Sequence, residues 1–231
     1  PNISQLISGK NQTSIIQSSL LFKKICRKKI IKVKIIEAEL VKLFSNAYRY
    51  IHFSISNQFF MICKDLGLDF FRVRKIMRDG YKRNAHIPMS GFTSGPCLLK
   101  DTMQISSFYK NKFSLGHTAM QINENLPKFL INDLKKKYNL KKKVFGILGL
   151  AFKAEIDDIR DSLSIKLVNY LKKMKFKVIQ SDEYYQSEVN VSKEFLVKNS
   201  DVIVIAVPHN NYKKIKFPKN KIIVDVWGIR K

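Results

Sequence analysis

Apolar residues recur every three or four positions between Glu37 and Leu66, and this period constrains the fold more than any other feature of the 231-residue sequence. The recurring positions are Leu40, Leu43, Phe44, Ala47, Ile51, Ile55, Phe59, Ile62 and Leu66. The spacing predicts one continuous α-helix about 45 Å long, ended by Gly67. Because such a helix is apolar on more than one side, it needs a large partner, often its own symmetry mate.

Shorter patterns lie on either side of this long helix. The spacing predicts a second helix over Phe70–Arg78 and then a loop over residues 80–96, which are rich in glycine and proline. Helical spacing returns over Leu115–Leu134, where Pro127 is an expected kink. Residues 1–33 show no long period.

After Lys143 the pattern changes to short buried strands that alternate with helices. The predicted elements are a strand at Val144–Leu150, a helix at Leu163–Met174, a strand at Lys177–Gln180, a short helix around Phe195, and strands at Val202–Val207 and Ile222–Val226. Such alternation is typical of a parallel sheet between helices. The sequence therefore predicts an α + α/β chain, with a helical region before a parallel α/β unit and the boundary near Lys135–Lys143.

The chain carries 43 Lys and Arg against 18 Asp and Glu, a formal net charge of +25. Its basic residues are spread along the whole sequence and form no arginine-rich stripe. We therefore expect solvated lysine-rich faces that attract anionic ligands, and we expect no nucleic-acid partner.

The cysteines and the apolar runs exclude other classes of protein. Cys26, Cys63 and Cys97 are too few and too irregularly spaced for a disulfide framework or a metal site. The longest uninterrupted apolar run, Val202–Val207, is far shorter than a membrane-spanning helix. With no secretory signal visible, we expect a cytoplasmic protein without a bound metal or a membrane partner.

Lys42 and Asn46 lie four residues apart on the predicted long helix and therefore share one face. An ammonium group beside an amide is suited to stabilising a developing oxyanion. The same pair also fits an ordinary solvated helix face.

Cys97 follows a glycine-containing loop and opens a predicted helix. At such a position unpaired N–H groups and the positive end of the helix dipole favour the nucleophilic thiolate. Lys100 adds positive charge one turn later, and Asp101 lies on the same face as the cysteine and could hold a water molecule. The alternative is an inert buried cysteine, which is the interpretation we give to Cys26 and Cys63.

A third segment, residues 150–162, runs from a strand end into a helix, where open α/β sheets bind ligands. Lys153 and Arg160 could meet phosphate groups there, although the segment also fits a simple surface loop. The preceding Gly146 and Gly149 give only G-x-x-G, and no G-x-G-x-x-G dinucleotide-binding loop occurs in the sequence. Without those glycines, Asp182 is a weak candidate for a ribose-binding acid.

In this order and at this separation, the three segments resemble the UDP-glucose/GDP-mannose dehydrogenase family. The resemblance covers residues 37–229 and is also carried by Ala47-Tyr48-Arg49, by Ile122-Asn123-Glu124, by the strand that leads to Pro208-His209, and by Val224-Asp225-Val226-Trp227-Gly228. It implies that residues 1–33 are a remnant of an N-terminal NAD-binding domain. Residues 34–137 would be the central helical dimerisation domain, and residues 138–231 a Rossmann-like UDP-sugar-binding domain.

The resemblance also implies the chemistry. The family oxidises the C6 alcohol of a nucleotide sugar to a uronic acid with two NAD⁺, through an aldehyde and a cysteine thioester. The implied partners are therefore a UDP-sugar, here UDP-glucose-like, and a second copy of the chain. NAD would be bound mainly by the absent N-terminal domain, so we expect the isolated chain to be inactive.

By position in the family motifs, each candidate residue receives a role. Cys97 resembles the nucleophile, Lys42 and Asn46 the oxyanion stabilisers, and Asp101 the group that assists the hydrolytic water. Phe152, Lys153 and Arg83 are implied to bind the substrate, and Lys100 and Arg160 to lie at the cofactor.

Some positions depart from the family pattern, which leaves glucose, mannose and an N-acetylated hexosamine open as the sugar. Ser94-Gly95-Pro96 stands where the family often has two glycines, and Leu99 replaces a common proline.

The alternative function is a non-catalytic UDP-sugar-binding or dimerisation module.

Overall fold

The computed structural model describes residues 3–230 and begins with a small parallel unit. Strand β1 (Gln5–Ile7) pairs in parallel with β2 (Ile30–Lys32), and helix α1 (Gln12–Ile25) connects them. The helix starts at Asn11, whose side chain accepts a hydrogen bond from Ser14 N at 2.8 Å. The apolar pattern does not predict α1, because serine, glutamine and threonine interrupt its apolar positions.

The long helix α2 (Ile35–Asp65) confirms the prediction from the apolar period. It ends where Gly67 adopts a left-handed backbone with φ of 70°, and Leu68 N donates to Cys63 O at 2.7 Å. These bonds satisfy carbonyl groups that the helix end would otherwise leave unpaired.

The buried face of α2 coincides only in part with the face marked by the apolar period. Its buried residues are Ala47, Tyr50, Ser54, Ser56, Asn57, Phe60 and Cys63. Several residues of the predicted stripe, among them Phe44, Ile55, Phe59 and Ile62, are exposed instead. The long helix therefore has one face in the core and an apolar face without a covering element among the described residues.

Three further helices complete the helical region. They are α3 (Phe70–Arg78), α4 (Leu98–Phe108) and α5 (Ser114–Lys137), and both α4 and α5 pack against α2. The bounds of α3 agree with the prediction, and Pro127 lies inside α5. A single 3₁₀ turn, Lys82–Asn84, interrupts the predicted loop.

The C-terminal part is a four-stranded parallel sheet with the strand order β4-β3-β5-β6. Its elements are β3 (Val144–Leu148), α6 (Leu163–Lys173), β4 (Lys177–Ser181), α7 (Lys193–Asn199), β5 (Val202–Ile205) and β6 (Ile222–Asp225). Strand β3 ends two residues earlier than predicted, because the chain turns at Gly149 with φ of 91°. Since all four strands are parallel, their carboxyl ends meet at one edge of the sheet, and the predicted α + α/β fold is confirmed.

One hydrophobic core joins the two regions. Leu130 and Ile131 of α5 belong to the same buried cluster as Phe145 of β3 and Leu167 of α6. The helical region is therefore packed directly on the sheet, so residues from both can form one site. Within residues 3–230 no helix combines the length and the hydrophobicity that crossing a bilayer requires.

Candidate active site

The loop at residues 90–96 crosses the carboxyl edge of the C-terminal sheet. At one end Ser90 Oγ donates to Val226 O at 2.9 Å, directly after β6. At the other end Ser94 Oγ accepts from Leu163 N at 3.3 Å, at the start of α6. The loop therefore bridges the two regions and leads into Cys97.

Two glycines let the loop approach the sheet closely. A Cβ atom on Gly91 would lie 2.4 Å from the Trp227 ring, and one on Gly95 would lie 2.4 Å from the Phe152 ring. Phe152, predicted to bind substrate, thus packs against the residue two positions before Cys97.

A pair of buried asparagines holds the loop from the helical side. Asn57 Oδ1 accepts from Gly91 N at 2.8 Å, and Asn57 Nδ2 donates to Gly91 O at 3.0 Å. The same amide donates to Asn123 Oδ1 at 2.8 Å, and Asn123 Nδ2 donates to Tyr50 O. No sequence motif marks Asn57, whose only signal is that a polar residue stands at helical spacing from Tyr50 and Phe60.

Cys97 stands at the start of α4 and is exposed, whereas Cys26 and Cys63 are buried. All three are free thiols. Burial raises the pKa of the Cys63 thiol, and the charge of Asp69 adds to this rise. Cys97 is therefore the cysteine that a ligand can reach.

Asp101 lies one helical turn after Cys97 and accepts hydrogen bonds from both residues that were predicted to stabilise an oxyanion. Asp101 Oδ2 accepts from Lys42 Nζ at 2.9 Å and from Asn46 Nδ2 at 2.6 Å. The Asp101 backbone N–H donates to Cys97 O at 2.8 Å. Asp101 is fully buried, and within the described residues its second oxygen, Oδ1, has no hydrogen-bond partner.

The charges in this group support one another. Burial alone would raise the pKa of Asp101, but the hydrogen bonds from Lys42 and Asn46, together with the charges of Lys42 and Lys100, hold that pKa below its usual value. The pKa of Lys42 is raised mainly by its hydrogen bond to Asp101, against an opposing effect of burial, and the charge of Cys97 adds to the rise. Lys42, Asn46, Cys97 and Asp101 therefore form one polar cluster from α2 and α4, which we call the Cys97 cluster.

Arg160 also lies within electrostatic reach of this cluster. Its exposed guanidinium donates to both carboxylate oxygens of Asp158, with Nη2 at 2.6 Å from Oδ2. This ion pair raises the pKa of Arg160, and the charge of Cys97 contributes a smaller rise. Lys100 lies beside Asp101, whose pKa its charge helps to lower.

The structure gives the remaining predicted residues fewer contacts. Lys153 is exposed in the loop after β3, next to Phe152. Arg83 is exposed in the 3₁₀ turn, and within residues 3–230 it makes no hydrogen bond or ion pair and is not joined to the Cys97 cluster.

Asp182 has a structural role, and not that of a ribose ligand. Its side chain is buried and accepts hydrogen bonds from four backbone N–H groups, those of Leu150, Ala151, Tyr184 and Tyr185. Burial opposes ionisation, but His209 and these N–H groups hold the pKa of Asp182 far below its ordinary value. Both carboxylate oxygens are occupied by these donors and are turned away from solvent.

The described residues also contain no group of three His, Cys, Asp or Glu side chains that could hold a metal ion.

Two family models match the two regions around this site. Residues 36–125 match the UDP-glucose/GDP-mannose dehydrogenase family, central domain, and residues 146–231 match the UDP binding domain of the same family. The chain belongs to the UDP-glucose/GDP-mannose dehydrogenase family.

Individual relatives in this family are nucleotide-sugar dehydrogenases. UDP-N-acetyl-D-mannosamine dehydrogenase of Pyrococcus horikoshii is 28% identical over 239 residues, which cover 99% of this chain and 57% of the relative. NDP-N-acetyl-D-galactosaminuronic acid dehydrogenase of Ralstonia nicotianae is 24% identical, over 83% of this chain and 48% of the relative. The chain thus spans about half the length of these relatives.

The fold agrees with solved structures of the family. The structure of UDP-D-ManNAc dehydrogenase from Pyrococcus horikoshii superposes with a TM-score of 0.86 at 27% identity, covering 100% of this chain and 57% of that one. A UDP-glucose dehydrogenase from Pyrobaculum islandicum superposes with a TM-score of 0.85 at 23% identity, covering 99% and 56%. The similarity to the Pyrobaculum islandicum structure shows a shared fold and nothing further.

Dehydrogenases of this family use NAD, and part of the site fits that cofactor. Exposed Lys100 and Arg160 stand near Cys97 and could contact its phosphates. The sequence contains no G-x-G-x-x-G loop to cradle its pyrophosphate. Among the predicted site residues, the groups that suit NAD are therefore limited to these two cations.

Asp101→Asn is expected to lower the free energy of unfolding by about 1–3 kcal/mol at neutral pH, because a buried charge-assisted hydrogen-bond network is lost. Since folding lowers the pKa of Asp101 from 3.8, the stabilisation is present above that value and is lost as the pH falls through the folded pKa. Folding raises the pKa of Lys42 from 10.5, so its contribution persists up to that pH and is lost above it.

Urea unfolding of both proteins at neutral pH and in acid tests this expectation. The difference between wild type and variant should shrink in acid. An equal difference at both pH values would contradict the ionised state of Asp101.

Proposed function

We propose that this chain supplies the cysteine nucleophile and the nucleotide-sugar site of an NAD-dependent nucleotide-sugar 6-dehydrogenase. The observation that carries the proposal is the Cys97 cluster at the carboxyl edge of the sheet. There an exposed thiol lies one turn from a buried carboxylate that is held by an ammonium and an amide group. This arrangement suits formation and hydrolysis of a thioester.

The proposed reaction converts the C6 alcohol of the sugar to a carboxylate. Two NAD⁺ molecules, bound in turn, would each take up one hydride, the first from the C6 alcohol and the second from the later thiohemiacetal, and each oxidation would release the hydroxyl proton to water. The Cys97 thiolate attacks the C6 aldehyde, so a C–S bond forms and the carbonyl oxygen gains negative charge and then a proton. After the second oxidation a water molecule attacks the thioester, the C–S bond breaks, and the thiolate is restored.

Each polar residue of the Cys97 cluster has a role in this scheme. Lys42 and Asn46 donate hydrogen bonds toward the oxygen that becomes negative when the tetrahedral adduct forms. Asp101 Oδ1 is buried and has no partner among the described residues, and it is proposed to accept a hydrogen bond from the hydrolytic water. The side chain of Lys42 is 63% exposed, so its ammonium group can turn toward a bound substrate.

The nucleotide sugar is proposed to lie along the carboxyl edge of the sheet. Phe152 offers a ring beside Gly95, and Lys153 offers a charge for the diphosphate, with Arg83 as a further cation. Lys100 and Arg160 are assigned to the cofactor side. UDP-glucose is the first hypothesis for the sugar, and the names of the relatives make UDP-N-acetyl-D-mannosamine the other candidate.

The first 33 residues are proposed to belong to a nicotinamide-binding domain, with a central domain at 34–137 and a UDP-sugar domain at 138–231. The β1-α1-β2 unit supports this assignment, because a parallel βαβ piece is the building block of such domains. Leu20 and Leu21 of this unit and the preceding Ile3 are exposed, which suits contact with further structure. Without that structure, the 231 residues alone are proposed to produce no NADH.

A second copy of the chain is proposed to cover the apolar face of α2. This face carries exposed Phe44, Tyr48 and Phe59, and Phe108 and Tyr109 of the neighbouring α4 region extend it. An apolar face of this extent is typical of a homodimer interface.

Alkylation of Cys97 tests the proposed function. Iodoacetamide should modify Cys97 at least about 100-fold faster than buried Cys63, since only an accessible thiolate reacts quickly. UDP-glucose and UDP-N-acetyl-D-mannosamine should slow the reaction at Cys97, and the true sugar should slow it more than UDP does. The readout is peptide mass spectrometry over time, with Cys63 as the internal control.

The alternative function, a non-catalytic UDP-sugar-binding module, gives a different result. In that case UDP-sugars bind, but Cys97 reacts no faster than a model thiol and gains no protection that depends on the sugar.

A further inference from the structure

His209 is a fully buried histidine that the proposed chemistry does not use. It follows β5 at the carboxyl edge of the sheet, and its ring lies between the rings of Tyr184 and Tyr212, with centroid distances of 5.0 Å and 5.1 Å. Its exposed fraction is 0%, so its hydrogen-bonding groups need protein partners.

Both ring nitrogens of His209 have such partners. Nδ1 accepts a hydrogen bond from Glu155 N at 3.1 Å. Because an accepting nitrogen carries no proton, the donor of the ring is Nε2, which faces Asp182 Oδ2 at 3.4 Å. His209 therefore connects the loop after β3 to the end of β4.

The partners of His209 fix both ends of the segment at residues 150–155. Asp182 accepts from the N–H groups of Leu150 and Ala151 at its start. At its end the Glu155 N–H donates to His209, and the Glu155 carboxylate accepts from Asn210 N at 2.9 Å and from Tyr184 Oη at 2.6 Å.

The backbone of Glu155 needs this support. Glu155 has φ of 63°, a left-handed conformation that is costly for a residue with a side chain. Such a conformation persists only where the surrounding contacts hold it. The hydrogen bond from Glu155 N to His209 is one of these contacts, and the two bonds to the Glu155 carboxylate are others.

We propose that His209 is a positioning residue, which holds the 150–155 segment so that Phe152 and Lys153 face the nucleotide sugar. The inference rests on the proposed function, because it assigns the nucleotide to this segment. The Lys153 side chain is exposed and makes no hydrogen bond or ion pair among the described residues. The backbone that His209 and Asp182 hold therefore fixes the point from which this side chain extends.

Two substitutions of His209 test the roles of its two ring nitrogens one at a time. His209→Asn keeps an acceptor near the position of Nδ1, and His209→Gln reaches the position of Nε2 but removes the acceptor for Glu155 N. We expect His209→Gln to raise the Kd for UDP about tenfold, and His209→Asn to change it by less than about twofold. Isothermal titration calorimetry with UDP measures both values.

A double-mutant cycle with Lys153→Gln distinguishes positioning from a general loss of structure. In the wild-type background Lys153→Gln should weaken UDP binding clearly, and in the His209→Gln background it should weaken it much less. Equal effects of Lys153→Gln in both backgrounds would overturn the inference.

Matched controls come from the helical region. His117 is a half-buried histidine that contacts Ser106, and His117→Gln should leave the Kd for UDP unchanged. If His209→Gln does not fold, the milder Tyr184→Phe, which removes one bond to Glu155, should still raise the Kd about twofold to threefold. An unchanged Kd in that variant would overturn the inference.

UDP binding by the wild-type chain distinguishes failure of the proposed function from failure of the positioning role of His209. If the wild-type chain does not bind UDP, the proposed function fails. If it binds UDP and the folded His209→Gln variant binds equally well, only the positioning role fails.

Discussion

Asn57→Leu is expected to lower the free energy of unfolding by about 3–6 kcal/mol. The buried Asn57 amide serves both the N–H and the carbonyl of Gly91, and it also donates to Asn123 Oδ1. Leucine removes all three bonds and leaves the partners without water or a substitute. Each buried group left unpaired costs about 1–3 kcal/mol.

Urea unfolding and amide hydrogen exchange together measure this effect. The Gly91 amide should exchange much faster in Asn57→Leu, and UDP binding should weaken because the 90–96 loop is released from α2. Asn125→Leu is the matched control, since the Asn125 side chain is exposed and bonds only to Gln121 O on its own helix among the described residues. A loss below about 1 kcal/mol for Asn57→Leu would contradict the proposed anchoring of the loop by Asn57.

The elements that the sequence predicted correctly are those whose signals are local. The period of α2 and its stop at Gly67 need only neighbouring residues, and so does the spacing of α3. The start of α4 at Cys97 was predicted from a glycine-containing loop followed by helical spacing. The prediction missed helix α1 because its apolar residues are not in a continuous stripe.

Which face of α2 is buried could not be predicted from the apolar pattern of the helix itself. The period marked Phe44, Phe59 and Ile62 as apolar positions that need a large partner, and these residues are exposed in the single chain, whereas the buried face contains Asn57 and Ser54. A polar residue is stable in the core only when a specific partner satisfies it. For Asn57 that partner is 34 residues away in the chain, at Gly91.

The candidate site was predictable in its residue types and less so in its geometry. The four-residue spacing of Lys42 and Asn46 placed them on one face, but their common partner Asp101 lies 59 and 55 residues away from them. The structural role of Asp182 was hidden for the same reason, because two of its four backbone donors, Leu150 and Ala151, lie 32 and 31 residues away after β3. Contacts across such distances follow from the packing of the sheet, which no local pattern contains.

Gly95→Ala is expected to disturb the site directly, with a loss of about 2–5 kcal/mol in the free energy of unfolding. Gly95 has φ of 102°, in the region that side chains disfavour, and its new Cβ atom would lie 2.4 Å from the Phe152 ring. The backbone strain costs about 1–2 kcal/mol and the overpacking about 1–3 kcal/mol. For a chain of this size the melting temperature should fall by about 5–15 °C.

The clash at Gly95 also predicts a loss of binding that strain alone would not cause. To relieve it, either the Phe152 ring or the loop before Cys97 must move, so the Kd for UDP should rise at least about tenfold. Gly80→Ala is the matched control, because Gly80 has φ of 65° but a Cβ atom added to it would meet no atom within 4 Å. That variant should lose about 1–2 kcal/mol and keep its affinity for UDP. If the two variants lose equal stability and both bind UDP normally, the packing of Phe152 on Gly95 does not shape the nucleotide site. If only Gly95→Ala loses binding, the close approach of loop and sheet is what aligns Phe152 with Cys97.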